Sequence, residues 1–188
     1  GKTYTATLNQ GHVIAPEGGR IEADGTVFQI SDITERPMLA RIELVSSSSL
    51  TATLSLLDQE PFSFFSKAGQ PYNLGDGRAE LRSTLLMPIK PKISLEEVEF
   101  NVEGRIVDFT SPSLVAGRLL KSNEVKVLVN TEGLTLSGVG KLDDMPLDLT
   151  YLQGFGPEQK GKARINGTVI LSDPILRDFG VELPEGSV

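Results

Sequence analysis

Few residues in this 188-residue chain have the types and spacing that catalysis requires. His12 is the only histidine, so any catalytic triad or histidine-ligated metal must include it, yet it stands in a short strand-like run beside a glycine turn. Cysteine is absent, which excludes disulfides, thiolate metal sites and thiol nucleophiles. No two carboxylates have a spacing that suggests acid–base catalysis. We therefore predict that the protein is not an enzyme and uses no cofactor or metal.

Two short motifs resemble ligand sites, but turns and strands explain them better. The segment Gly138–Lys141 reads Gly-Val-Gly-Lys, lacks the spacing of a phosphate-binding loop and leads into a strand and a turn. A phosphate site requires a helix N-terminus at that point. Asp143 and Asp144 could bind a cation weakly, whereas a hairpin turn accounts for both of them.

Composition limits the class of protein. The formal net charge of −7 and the pI near 4.8 argue against a nucleic-acid partner, because phosphate binding needs clustered Lys and Arg. Hydrophobic residues make up 39% of the chain, enough to bury a core, and no run approaches the roughly 18 apolar residues of a membrane-spanning helix. We expect one β-rich domain over residues 1–188.

The elements that must position any site are strands. Four successive runs alternate apolar with polar residues: Val98–Glu103, Val125–Val129, Leu134–Ser137 and Met145–Tyr151. Because successive strand side chains point to opposite faces, each run makes a strand with one apolar and one polar face. Turn-forming residues separate the later runs, at Asn130–Gly133 and at Asp143 and Asp144. The pattern predicts an antiparallel meander with one apolar face.

The same alternation extends over most of the chain. It predicts further strands at Tyr4–Leu8, His12–Ile14, Ile21–Phe28, Met38–Val45, Leu50–Leu56, Arg78–Leu85 and Lys162–Leu171. Ser46–Ser49 is predicted to be a polar loop. The segment Ser111–Asn123 has no clear period and fits either a helical turn or an irregular crossing.

Two segments have the capping residues of short helices. The first is predicted at Asp58–Ala68, with Asp58 as the N-terminal cap and Gly69 at the end. The second is predicted at Asp173–Phe179, where an acidic cap precedes a proline. The aromatic residues of the first helix fit a mobile lid or, as we prefer, a helix that covers the open end of the sheet.

These elements predict a mainly β fold: an elongated, curved antiparallel sheet, forming an open groove or half-barrel, with two short helices. The pattern of residues alone favours the alternative, a closed sandwich or barrel with an interior filled by its own side chains. The open groove is preferred because of the family resemblance described next.

Several phrases resemble the AsmA-like family, the Gram-negative envelope proteins related to AsmA, TamB and YhdP. They are Leu95–Phe100, Val127–Gly138, Gly167–Asp173 and Leu176–Gly180, and the resemblance covers roughly residues 38–184. Its motifs are patterns of strand and turn, so their order is more informative than any one of them. Proteins of this family are long β-rich chains, anchored in the inner membrane by one N-terminal helix, that carry phospholipid along an apolar groove.

The resemblance implies a function for this chain. It would be an internal, periplasmic fragment of a longer, inner-membrane-anchored protein involved in phospholipid transport and outer-membrane biogenesis. Its partners would be phospholipid acyl chains and neighbouring segments of the same chain, with membrane contact only through regions outside this sequence. The alternative is a non-catalytic structural or interaction module that docks to neighbouring units through its sheet edges.

The groove hypothesis nominates particular lipid-facing residues, because an open trough would hold acyl chains on its apolar face. The predicted lipid-facing residues are Ala79, Leu81, Val98, Phe100, Val102, Val127, Val129, Leu147, Leu149, Ile165 and Val169. We also expect the strand nearest each terminus to lie at a sheet edge and to support self-association.

Overall fold

The structure, a computed structural model, describes residues 2–60, 63, 65–66, 69, 71–159 and 162–170. Its strands are β1 (Tyr4–Leu8), β2 (His12–Ile14), β3 (Arg20–Glu22), β4 (Thr26–Ile30), β5 (Leu39–Ser49), β6 (Asp76–Pro88), β7 (Glu99–Val115), β8 (Arg118–Asn130), β9 (Gly133–Leu142), β10 (Met145–Gly154) and β11 (Ala163–Val169). The helix α1 spans Leu50–Leu57, and short 3₁₀ turns lie at Leu95–Glu97 and Pro157–Gln159. The predicted mainly β fold class is confirmed.

All the strands belong to one antiparallel sheet. Its order is β1, β4, β5, β6, β7, β8, β9, β10 and β11, with β3 paired to both β2 and β5. From β4 onward each strand is therefore hydrogen-bonded to the next one in sequence, and the sheet does not close into a barrel. Because there is one open sheet, the closed sandwich or barrel is wrong. The prediction that the terminal strands lie at edges is confirmed, since β1 and β11 end the strand order.

The predicted meander is present as β7 to β10. Between β8 and β9, Asn130 turns the chain by accepting hydrogen bonds on its Oδ1 from the backbone N–H groups of Glu132, at 2.9 Å, and Gly133, at 3.1 Å. Between β9 and β10, Leu142 pairs with Met145, which leaves a two-residue turn of Asp143 and Asp144. Asp143 adopts the left-handed φ of 53° that such a turn requires.

The segment Leu50–Leu56, predicted to be a strand, is helical. Ser49 explains the difference, because its side chain accepts a hydrogen bond from the backbone N–H of Ala52 and so caps the helix N-terminus. Leucine and alanine favour helices, and in so short a run a period of two fits both structures. Ser46–Ser49 is also not a loop, since it forms the last four residues of β5, paired with β6.

The first predicted helix does not begin at Asp58, although Phe65 and Ser66 within it are helical and Gly69 has the left-handed φ of 64° expected at its end. Asp58 ends α1, with its backbone N–H bonded to the oxygen of Leu54, and does not begin a helix. Its carboxylate does accept backbone N–H groups, but they belong to Phe65 and Ser66, at 3.0 and 2.7 Å. Residues 61, 62, 64, 67 and 68 of this prediction lie outside the described residues, as does the whole of the second predicted helix at Asp173–Phe179.

The undecided segment Ser111–Asn123 is neither a helical turn nor a crossing. It is the end of a long hairpin in which β7 and β8 stay paired from Asn101 with Asn130 to Val115 with Arg118. Within the segment, the pairing of β7 with β8 shifts register between Ser111 and Val115, which interrupts the alternation of the sequence. A further irregularity in β7 lies just before the segment, at Asp108, whose φ is 53°. A second shift separates Lys121 from Lys126 in β8.

The fully buried core is small. One cluster of buried hydrophobic residues joins Ala15, Ile21 and Ala52, at the end of the sheet where α1 packs. The largest side chains that are fully buried are two serines, Ser55 and Ser111. A sheet of this size normally encloses large aliphatic and aromatic side chains completely. Most of the apolar surface therefore lies elsewhere, half-buried along the sheet.

A candidate functional site on one face of the sheet

The strand register assigns the paired residues to two faces, because directly opposed residues of antiparallel strands project to the same side. We call the face that carries Val127 the inner face and the opposite one the outer face. The inner face takes alternate residues of each stretch: Tyr4–Leu8, Thr26–Ile30, Ala40–Ser48, Ala79–Met87, Phe100–Ile106, Val125–Val129, Leu134–Leu142, Met145–Gln153 and Ala163–Val169.

In these stretches the inner face has no charged residue. Its members are aliphatic and aromatic residues, glycines and a few uncharged polar side chains. The charged residues of the same stretches all lie on the outer face: Arg41, Glu43, Glu80, Arg82, Glu103, Arg105, Lys126, Lys141, Asp148 and Arg164. One continuous surface without charge thus runs across the sheet from β1 to β11.

Burial differs sharply between the faces. On β8, Val127 is 7% exposed, whereas the next residue, Leu128, is 55% exposed on the outer face. Leu147 on the inner face is 8% exposed, and Val139 on the outer face is 67% exposed. The described residues form a single sheet, so no second sheet covers the inner face. The asymmetry therefore indicates a sheet that curves around its inner face.

Inner-face glycines permit this curvature. A Cβ atom on Gly104 would collide with the carbonyl oxygen of Glu80 on the neighbouring strand, and one on Gly140 would collide with that of Lys121. Gly167 meets the same obstacle at Asp148. Strands approach this closely on their concave side, where only glycine leaves room. The glycines of Gly138–Lys141, which resembled part of a phosphate loop, thus lie in β9 on the inner face.

The helix α1 covers one end of the inner face, in what we call the α1 corner (Ala15, Glu17, Ile21, Ala52 and Ser55). Ala52 is completely buried against Ala15 and Ile21. Ser55 donates a hydrogen bond to the Glu17 carboxylate, 2.6 Å away, on the β2–β3 hairpin. These contacts fasten the helix to that hairpin and seal this end of the sheet with its own side chains.

The outer face is a solvated, charged surface. Arg105 bridges Glu80 and Glu124 across three strands, at 2.9 and 3.2 Å. The hydrogen bond to Glu80 raises the pKa of Arg105 above its ordinary value, and all three side chains remain exposed, so the bridge adds little to stability. A concavity of about 710 Å³ crosses this face, and its walls mix both charge signs, including Glu103 and Lys126. It does not offer the continuous apolar wall of the inner face.

The structure brings together the residues that the sequence nominated. The members on the inner face are Ala79, Leu81, Phe100, Val102, Val127, Val129, Leu147, Leu149, Ile165 and Val169. Val98, just before β7, is buried at 3% exposure. Ala79, Val127 and Leu147 on the inner face are buried as well, at 2%, 7% and 8%, so these four residues offer little surface. Ile165 and Val169 lie on the edge strand β11, where they are 66% and 42% exposed.

Sequence reasoning missed part of the inner face. Ile42 and Leu44 lie on it, and the alternation of Met38–Val45 could have identified them. Ser46 and Ser48 also lie on it, but their segment was interpreted as a loop, and four serines in a row give no apolar period.

The motifs with possible chemistry have other roles. His12 is exposed in β2, opposite Glu22. Asp143 accepts hydrogen bonds from Arg118, at 3.0 Å, and from the backbone N–H of Leu119, at 2.8 Å, which confirms the turn. Within the described ranges, no group of three or more His, Asp or Glu side chains is placed to hold a metal ion. In the same part of the chain, no helix has the length and hydrophobicity to cross a membrane.

Comparison with known proteins gives no relative. No family model matches the chain, and neither a curated protein nor a solved structure matches it. The inner face must therefore be interpreted from its own geometry.

Proposed function

We propose that the inner face binds the acyl chains of phospholipids. The observation that carries this proposal is a continuous surface without charge, on which side chains such as Phe100, Val102 and Leu149 are half-buried although no second sheet of the described residues covers them. Hydrocarbon binds such a surface because each buried methylene contributes about 0.8 kcal/mol. A protein partner would usually require polar groups that define its orientation, and the inner face offers few.

The dimensions of the face suit an acyl chain. Along β6 the inner face extends over the eight residue steps from Ala79 to Met87. At about 3.3 Å per residue, this is roughly 26 Å. A bilayer hydrocarbon core of two leaflets is about 30 Å thick, so the chain of one leaflet occupies about half of that. One acyl chain therefore fits within the length of the inner face.

The resemblance to AsmA-like proteins gives this binding a biological context. In that context the chain is a periplasmic segment of an inner-membrane-anchored protein, and its groove passes phospholipid between neighbouring segments toward the outer membrane. No chemistry is required of the protein, which fits a role as a non-catalytic conduit.

Bound lipid can be measured after incubation with phospholipid vesicles, re-purification and mass spectrometry of the extract. Leu149→Asp places a charge on the inner face, and Leu152→Asp places one on the outer face of the same strand, as the matched control. We expect lipid on the wild type and on Leu152→Asp, and a strong loss on Leu149→Asp. A folded wild-type protein that never carries lipid would contradict the proposal.

The edge strands favour a second function, docking to other units by strand addition. The segment Tyr4–Leu8 has no charge, proline or bulge to protect its edge, and Tyr4 is 54% exposed. On β11, Ile165 is 66% exposed, and Arg164 is the only charged residue in the strand. Sedimentation should show self-association that Tyr4→Lys or Ile165→Lys weakens. A strict monomer at high concentration, with both edges protected from hydrogen exchange, would exclude it.

A further inference from the structure

Ser83 has an unusual environment on the inner face. The residue is 8% exposed, and its hydroxyl makes no hydrogen bond with the described residues. Every fully enclosed polar side-chain atom in the described part of the chain has a hydrogen-bond partner. The Ser83 hydroxyl therefore still reaches the open space above the inner face. Burying a hydroxyl without a partner is unfavourable, so serine is a costly choice here unless something else supplies that partner.

Apolar residues surround this hydroxyl. Ser83 is paired with Leu44 on β5 and Val102 on β7, and Leu81 and Leu85 flank it on its own strand. None of these neighbouring side chains can accept its proton. The inner face also contains a second serine, Ser46, whose hydroxyl makes no hydrogen bond within the described part of the chain, at the diagonal position across β5 and β6. Diagonal neighbours of this kind are about 7–8 Å apart.

The other buried serines are different, because each has partners that explain it. The Ser48 hydroxyl lies 2.7 Å from Thr53 Oγ1 and also donates to the carbonyl oxygen of Ser49. Ser111 donates to the carbonyl oxygen of Leu74. These two serines connect the sheet to neighbouring segments. Ser83 and Ser46 make no such connection.

We propose that the Ser83 hydroxyl, with Ser46 beside it, donates a hydrogen bond to an ester carbonyl of the bound lipid. This inference rests on the proposed function and adds a polar contact that places the ester end of the acyl chain above β5 and β6. A carbonyl oxygen accepts from a hydroxyl without bringing charge. A fatty-acid carboxylate fits less well, because no cation lies on the inner face to pair with it.

Comparing an ester-linked lipid with an ether-linked lipid isolates the contribution of the carbonyl group to the binding affinity. The probes are a diacyl phosphatidylcholine and its dialkyl ether analogue, which has the same headgroup and chain length but no carbonyl. Both are titrated against the wild type, Ser83→Ala and Ser46→Ala. Ser137→Ala, on the outer face, is the matched control.

The wild type should bind the ester about threefold to tenfold more tightly than the ether, the range that one neutral hydrogen bond gives. Ser83→Ala should lose this preference, bind the ether as the wild type does and keep its thermal stability. Ser46→Ala should reduce the preference, and Ser137→Ala should retain it.

Equal binding of ester and ether by the wild type would overturn the role of Ser83 while leaving the groove intact. Binding of neither lipid would overturn the proposed function itself. A loss of stability in Ser83→Ala with an unchanged ester preference would show that the hydroxyl is structural, which also contradicts the inference. So would a fatty acid that is bound more tightly than the ester and depends on Ser83.

Discussion

The α1 corner and the rest of the inner face differ in what covers their apolar side chains. In the corner, small residues and a helix bury each other: Ala52 is fully enclosed against Ala15 and Ile21, and Ser55 is bonded to Glu17. Further along the sheet, side chains such as Leu149 lie on an equally apolar surface, yet no second sheet of the described residues covers them. One region is sealed by the protein, and the other is left available.

This difference limits what an alternating apolar pattern in the sequence can predict. Alternation specifies only that one face of a strand avoids water, and either protein or a ligand can provide that environment. In the corner, the residues are small enough for a helix to approach closely. On the inner face of β6 to β10, large aliphatic residues predominate, and the glycines among them, in β7 and β9, let neighbouring strands come close. Side-chain size and the close approach of the strands, more than hydrophobicity, distinguish the enclosed corner from the rest of the inner face.

The largest effect should come from a charge in the corner. Ala52→Asp buries an unpaired carboxylate in a fully enclosed site, and we expect a loss of several kcal/mol in the free energy of unfolding. Leu149→Asp should cost clearly less, because water reaches the open inner face. Urea denaturation of both variants measures the difference.

Leu56→Asp is the control for the corner, since Leu56 lies on the same helix and is 36% exposed. Leu56→Asp should unfold at a urea concentration close to that of the wild type. If Leu149→Asp destabilises the protein as much as Ala52→Asp does, the inner face is closed and the distinction between the two regions is wrong.

A smaller effect on stability should follow from adding a methyl group at Gly104, where neighbouring strands come close. Gly104→Ala directs a Cβ at the carbonyl oxygen of Glu80, so the strands must separate there, at a cost of about 1–3 kcal/mol. Gly11→Ala is the matched control, because the added atom meets only the flexible side chain of Leu8. The midpoint temperature of thermal unfolding should be lowered by Gly104→Ala and hardly altered by Gly11→Ala. Equal stability of the two variants would argue against crowding on the concave side.

The smallest effect on stability should come from Asp58, in the connection that follows α1. The hydrogen bond from the Ser66 hydroxyl, followed by those from the backbone N–H groups of Ser66 and Phe65, lowers the pKa of Asp58 below its ordinary value of 3.8. A lowered pKa stabilises the folded state fully above that ordinary value, and this contribution is lost as the pH falls through the lowered pKa.

Thermal midpoints of the wild type and Asp58→Ala, compared from about pH 6 to about pH 2, should therefore differ most at the upper end and converge in acid. A gap that stays constant with pH would show that the Asp58 carboxylate does not supply this stabilisation.

Much of the fold was predictable because most strands alternate over many residues. The meander of β7 to β10 follows from alternation and from turn residues such as Asn130 and Asp143, which act locally. The apolar members of the inner face follow from the same period. The helix α1 was not predictable in this way, because a run of eight residues fits two periods and the Ser49 cap decided between them.

The rest of the site depends on long-range structure. The sequence around Gly104 and Gly140 does not show that neighbouring strands come close at these positions. The close contacts form only when β6 pairs beside Gly104 and β8 pairs beside Gly140. The isolation of Ser83 likewise depends on which residues β5 and β7 place around it. Whether a sheet closes is a property of its curvature and its edges, and the alternating pattern is the same in both cases.

The most direct test is to locate the bound lipid on the unmodified protein. A phospholipid with a photoreactive group in its acyl chain is bound, activated by light and mapped by mass spectrometry of the labelled peptides. The account predicts adducts on inner-face residues such as Val102, Val129 and Leu149, with unlabelled lipid competing for them. Adducts on outer-face residues such as Leu128 and Val139, or none on a folded protein, would contradict the claim that the inner face is a lipid-binding surface.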